Sequence, residues 1–174
     1  LNEDSTAMTN NGGNDTIAAV TAMGYDAYYV ALEALKAAGS TDKAAVKAAL
    51  QKEVGLPVKP DVPLMVMVTR LAGHKGLDLL CYIARRLIWE EDAQLLILGT
   101  GEAQYESFFR DLANQFPDQV SAQITFNVGL AARVYAAGDI YLMPSKSEPC
   151  GLSQMIAMRY GTVPVVHATG GLKD

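Results

Sequence analysis

The chain has 174 residues, half of them apolar, and a formal charge of −5. That length suits one domain with a substantial core, and the negative balance argues against nucleic acid, whose binders gather Lys and Arg on one face. No run of eighteen residues is free of polar or charged side chains, so no segment is expected to cross a membrane; the opening LNEDSTAMTNNGGND has neither region of a secretory signal, which points to a cytoplasmic chain.

Residues 1 to 15 are rich in Asn and Gly and lack periodicity, the pattern of a loop or tail. From 16 to 38, Ile17, Val20, Gly24, Ala27, Tyr28, Ala31, Leu32 and Leu35 recur at helical spacing, with Asp15 as cap and Gly39 as stop. A second helix is expected from about Thr41 to Glu53, ended by Gly55. From residue 63 the pattern changes. PLMVMVTR precedes a helical stretch at 75 to 90, AQLLILG one at 102 to 116, AQITF one at 129 to 137 and DIYLMPS one at 151 to 160, and VPVVHA follows. Continuous apolar strands between amphipathic helices predict a parallel sheet covered on both faces. Five of them make a doubly wound, Rossmann-like α/β domain, and right-handed crossovers from a sheet begun at its middle give the order 3-2-1-4-5. The expected organisation is one domain over 1–174, with a helical segment at 1–50 and the sheet at 51–174.

In that order strands 1 and 4 are neighbours where the winding reverses, and the crevice beyond their carboxyl ends is where such folds take ligands. Strand 1 leads through Thr69-Arg70 to Lys75-Gly76, and strand 4 leads through Pro144-Ser145 to Glu148 and the Gly151 turn. Arg70 and Lys75 flank a turn before a helix start, where free amides favour anions; the plainer alternative is a strand-closing arginine and a solvated lysine. Glu148 lies beside the backbone amides of Cys150, Gly151 and Leu152, which together could hold sugar hydroxyls and a phosphate oxygen; alternatively it is an acid interacting with a helix dipole. Gly99-Thr100-Gly101-Glu102 imitates a dinucleotide fingerprint but has Gln104 where the third glycine belongs, which argues against NAD. His74 and His167 have no Cys, Ser or Asp partner at a recognisable spacing, and Cys81 and Cys150 lack metal-ligand spacing. No metal or other cofactor is expected, and both thiols are expected to be reduced.

The run Glu148-Pro149-Cys150-Gly151-Leu152-Ser153-Gln154, followed by Tyr160-Gly161-Thr162, resembles the EPCGL(S/T)Q…YGT signature of bacterial glycogen synthases and plant starch synthases, retaining glucosyltransferases of the GT-B architecture. TRLAGHKGLD is similar to their SRL…QKGLD motif. The resemblance covers about residues 43 to 174 and implies diphosphate contacts for Arg70 and Lys75, donor-glucose contacts for Glu148, and an adenine-stacking role for Phe126, which could equally be a core residue. Ala132, Ser147 and Val128 depart from the His, Phe and Glu found there in the family. A second likeness joins MGYDAYYVALEALKAAGSTDKAAVKAALQ to a helical segment of periplasmic leucine/isoleucine/valine-type binding proteins, over about residues 3 to 50. The two overlap at residues 47 to 53, as a chimera joined inside a shared helix would.

What this implies is a recombined or engineered domain without complete catalytic function that retains weak ADP or ADP-glucose binding, with Glu148 as a vestigial catalytic residue. A GT-B transferase works between two such domains, and this chain resembles only the donor half. The alternatives are a glycogen synthase fragment active only with its acceptor domain, and a branched-chain amino-acid binding module. A monomer is expected, or a homodimer paired along the free edge beyond strand 5.

Overall fold

The computed structural model describes Gly39 and residues 42–173. The helix expected at 16 to 38, and with it most of the segment likened to the binding proteins, lies outside those residues. The chain enters through α1 (Lys43–Glu53), capped by the Asp42 carboxylate accepting from Ala44 N. Five strands follow in alternation with helices: β1 (Leu64–Val68), α2 (Leu77–Glu90), β2 (Gln94–Leu98), α3 (Ala103–Gln115), β3 (Val120–Gln123), α4 (Val128–Ala137), β4 (Ile140–Met143), α5 (Leu152–Arg159) and β5 (Val163–Val166). All four pairings are parallel and the order is β3-β2-β1-β4-β5, as the crossover argument requires.

Side-chain alternation along the strands divides the core into two layers. Leu64, Val66, Leu96, Leu98, Tyr141 and Met143 point to the face covered by α1, α4 and α5. Met65, Met67, Leu95, Ile97 and the partly buried Ile140 and Leu142 point to the face of α2 and α3. The central strands β1 and β2 are therefore buried on both sides, which is why they read as unbroken apolar runs.

β3 lies earlier than the apolar run AQITF suggests. Val120 to Gln123 pair with Leu95 to Leu98, and the chain then bends, with Thr125 N donating to Gln123 O at 2.9 Å. A polar residue in the strand is tolerated because the buried Ser121 hydroxyl donates to Val54 O at 2.8 Å.

Two polar devices tie α1 to the sheet. The buried Lys47 ammonium donates to Val62 O at 2.6 Å, Pro60 O at 3.2 Å and Asp139 Oδ2 at 2.6 Å, so its charge is paired and its protons are used. Gln51 Nε2 donates to Gln94 Oε1 at 2.6 Å across the buried interface.

β5 is an edge strand. Val163 N and His167 N donate to Asp139 O and Met143 O, so alternate amides face β4 and positions 164 and 166 face outward. Pro164 has no N–H to offer there, which removes a donor from the edge where a second copy would pair.

Candidate functional site

β1 and β4 lie side by side, and the loops leaving their carboxyl ends are stitched together. Lys146 N donates to His74 O at 2.9 Å, and Lys146 Nζ meets Asp78 Oδ2 at 2.5 Å. The hydrogen bond from Lys146 is the main reason the Asp78 carboxyl is held below its ordinary range. Between them, Lys75 Nζ is 2.6 Å from Glu148 Oε2, and Ser145 Oγ donates to the same oxygen at 3.2 Å. Both partners are largely shielded, with side-chain exposures of 20% and 11%, which raises the worth of the contact above that of a surface pair. Gly76 makes the close approach possible. It sits at φ +71°, and a Cβ there would lie 1.9 Å from Pro144 O.

A third loop supports Glu148 from behind. The short turn Gly170–Leu172 after β5 places Gly171 N 2.8 Å from Glu148 O, and a side chain at Gly170 would collide with that same carbonyl at 2.3 Å. α5 then starts from Gly151, whose φ of +65° turns the chain into the helix. Cys150 and Leu152 are exposed on either side of the buried Gly151.

Beside this closed segment lies an open cleft of about 520 Å³, lined among others by Thr69, Arg70, Thr100, Phe126, Asn127 and Tyr135. Arg70 is exposed and forms no ion pair among the described residues. Phe126 is 87% exposed, so it is a wall of the cleft and not a core residue. Its position follows from its neighbours: the turn at Gln123 to Thr125 ends β3, and the Asn127 side chain caps α4 by accepting from Leu130 N at 2.9 Å.

The motif Gly99-Thr100-Gly101-Glu102 has a structural explanation. A Cβ at Gly99 would lie 1.8 Å from Thr69 O, and one at Gly101 would lie 2.2 Å from Leu71 O. These glycines let the β2–α3 loop run against the segment that carries Arg70, an alignment sealed by Leu71 N to Thr100 O at 2.9 Å and Glu102 N to Leu71 O at 2.7 Å. The Glu102 carboxylate accepts from Gly73 N at 3.0 Å, and that bond lowers its pKa.

The two loops singled out from the sequence thus converge, with Lys75 on Glu148 and with Arg70 and Phe126 sharing the neighbouring cleft. Cys150, Gly151 and Leu152 form the α5 entry. Ser145 was read only as the end of strand 4, and Lys146 was missed; the polar residues packed into PSKSE were the one hint of their contacts. Of the departures from the family pattern, Val128 is 62% exposed, Ala132 is buried in the core and Ser147 is exposed.

Residues 50–174 match the family Glycosyl transferases group 1. The chain is similar to the glycogen synthase of Exiguobacterium sibiricum, 58% identical over 132 residues, and to that of Clostridium perfringens, 55% identical over 133 residues; each alignment covers 76% of this chain and 27% of the relative. Among solved structures, the catalytic domain of starch synthase IV from Arabidopsis thaliana bound to ADP and acarbose is 37% identical with a TM-score of 0.70, over 76% of this chain and 27% of that one. Anabaena HepE, crystallised with UDP and glucose, shares the fold at 18% identity and a TM-score of 0.57, over 77% of this chain and 35% of that one. The chain spans about a quarter of the length of the curated relatives it matches. With the family match covering 125 of 174 residues, the two closing loops and the parallel sheet, the chain belongs to the group 1 glycosyl transferases.

Proposed function

We propose that this chain is the donor-nucleotide part of a glycogen-synthase-like glucosyltransferase and binds ADP or ADP-glucose weakly, without transferring glucose on its own. The observation that carries this reading is the pairing, in one cleft, of an exposed guanidinium and an exposed aromatic ring beside the Lys75–Glu148 contact. The ring of Phe126 offers a flat apolar face for a purine. Arg70 supplies a forked cation for a diphosphate. Glu148 retains acceptor capacity on its second oxygen for sugar hydroxyls, and Lys75 supplies a second cation on the same loop as Arg70.

The similarity to glycogen synthases and to the ADP-bound starch synthase supports the choice of nucleotide. Transfer needs more than this half-site. Stabilising an oxocarbenium-like centre and a leaving diphosphate requires donors arranged around a site from which water is excluded, and the cleft described here is open to solvent. Affinity near the millimolar level, roughly 4 kcal/mol, fits one wall of a cleft acting alone. Isothermal titration with ADP tests the assignment: binding is expected for the native chain and at least about tenfold weaker for Arg70→Ala, a loss of about 1.4 kcal/mol. Equal heats would reject it.

The reading as a glycogen synthase fragment adds that the missing acceptor domain, supplied separately, restores ADP release from ADP-glucose; no release on mixing counts against it. A chimera joined within α1 is proposed on the second likeness, which lies upstream and overlaps the first at residues 47 to 53. Sequencing the junction in the source's genomic DNA tests that, and an uninterrupted synthase gene across it would refute it.

A further inference from the structure

β1 and β4 separate before their carboxyl ends. β1 pairs with β2 as far as Val68, but with β4 only where Met65 meets Ile140 and Val66 meets Tyr141. Asp139 N donates to Leu64 O on the β4 side and Thr69 N to Leu98 O on the β2 side, so by alternation the Val68 carbonyl faces β4. In the β1–β2 pair the donor lies one residue past the level position: Leu64 is opposite Gln94, and Gln94 N reaches Pro63 O. The same offset in β4 assigns Val68 O to position 144, a proline with no N–H. The hydroxyl of Tyr141 fills that gap by donating to Val68 O at 2.8 Å. Tyr141 is 1% exposed, so packing fixes where its hydroxyl lies. Val68 and Tyr135 both line the open cleft, and the Tyr135 hydroxyl is 3.5 Å from that of Tyr141. Burial, and after it Tyr135, pushes the Tyr141 phenol well above its ordinary range, against a hydrogen bond from Ser153 in the first turn of α5, so the group stays a donor.

We propose that Tyr141 is a positioning residue for the nucleotide site: by satisfying the Val68 carbonyl, it fixes the end of β1 from which Arg70 projects into the cleft. The inference rests on the reading of Arg70 as the diphosphate contact. Arg70 follows Val68 by two residues, and the backbone around it is tied to the β2 side by Thr69 N to Leu98 O at 3.1 Å and Leu71 N to Thr100 O at 2.9 Å. The tyrosine holds the same stretch from the β4 side, where the ladder has ended. A guanidinium carried on a strand end held from both sides meets its ligand already oriented, so less binding energy is spent on ordering it. Phenylalanine at 141 would fill the same space and leave the carbonyl, partly shielded from water, without its donor. The strand end is then free to shift, and Arg70 with it.

Relaxation dispersion of backbone amides in the ligand-free full chain tests the proposal, comparing the native sequence with Tyr141→Phe. Exchange on the microsecond-to-millisecond timescale is expected to appear at Thr69, Arg70 and Leu71 in the variant, while the amides of β2 and β3 stay unchanged as the control for folding. Equal dispersion at 69 to 71 in the two proteins overturns the positioning, whether or not the chain binds a nucleotide. Titration followed by amide shifts then reads the effect on affinity. ADP is expected to bind about fivefold more weakly to Tyr141→Phe, and adenosine, which lacks the diphosphate, equally well to both. In a chain already carrying Arg70→Ala, the same change should cost less than about twofold, because the contact it positions is gone. Unaltered ADP affinity, an equal loss for adenosine, or a full fivefold loss without Arg70 overturns the route through Arg70. Failure of the native chain to bind ADP overturns the function proposed above and leaves the dispersion measurement to decide the positioning.

Discussion

The two sides of the carboxyl-edge crevice are built in opposite ways. On the β4 side, Lys75 and Ser145 bind Glu148, Lys146 binds Asp78 and the His74 carbonyl, and three glycines allow backbone to lie on backbone. On the β2–β3 side, Arg70 and Phe126 project into an open cleft and are held only through the loops that carry them. Residues that shape a site can therefore be separated from residues left for a ligand: the first group carries stability, and the second can be removed at little cost to the fold.

The largest test of that division is Gly76→Ala. With φ at +71° and a carbonyl 1.9 Å from the new Cβ, the loop must move, and a loss of about 3 kcal/mol is expected in urea unfolding; a loss below about 1 kcal/mol would mean the stitched loops are softer than their geometry. Lys75→Met comes next. It leaves Glu148, 11% exposed, with the Ser145 hydroxyl but no counter-charge, and about 1 to 2 kcal/mol of stability should be lost. Phe126→Ala sharpens the contrast from the other side. Thermal unfolding should stay within about 0.5 kcal/mol of the native chain while ADP binding weakens about tenfold, and a large stability loss would return the ring to the core.

The smallest effect concerns the thiols. Burial, reinforced by Asp78, pushes the Cys81 thiol up to about 11, so at pH 8 iodoacetamide should label the exposed Cys150 before Cys81. The linkage has a fixed sign. The folded chain holds the Cys81 proton to higher pH than the unfolded chain does, so this group's contribution to stability is level up to about pH 9 and declines between about 9 and 11. A Cys81 that reacts as fast as Cys150 would contradict its shielding.

Sequence pattern carried the sheet because burial on both faces leaves unbroken apolar runs, as in LMVMV and QLLIL. It misplaced β3, whose residues VSAQ are half polar: the Ser121 hydroxyl is satisfied by a carbonyl 67 positions away in sequence, a partner no local window contains. The meeting of Lys75 with Glu148 was legible once the strand order was known, since adjacency of β1 and β4 brings their loops together. The role of Gly99 and Gly101 was not, because their need is a close approach to Thr69 and Leu71 across the sheet, and the same spacing imitates a phosphate loop. Phe126 was ambiguous for a similar reason: an aromatic after a strand reads alike whether it turns inward or out.

The buried ammonium under the sheet has a practical consequence. The family match opens at residue 50, yet Lys47, one turn earlier, is what neutralises Asp139 and donates to the carbonyls of Pro60 and Val62. A truncation cut at the family boundary would leave that carboxylate with the Leu64 amide but without its Lys47 counter-charge. A piece meant to keep this ion pair starts no later than the capping Asp42, because the family match opens inside α1.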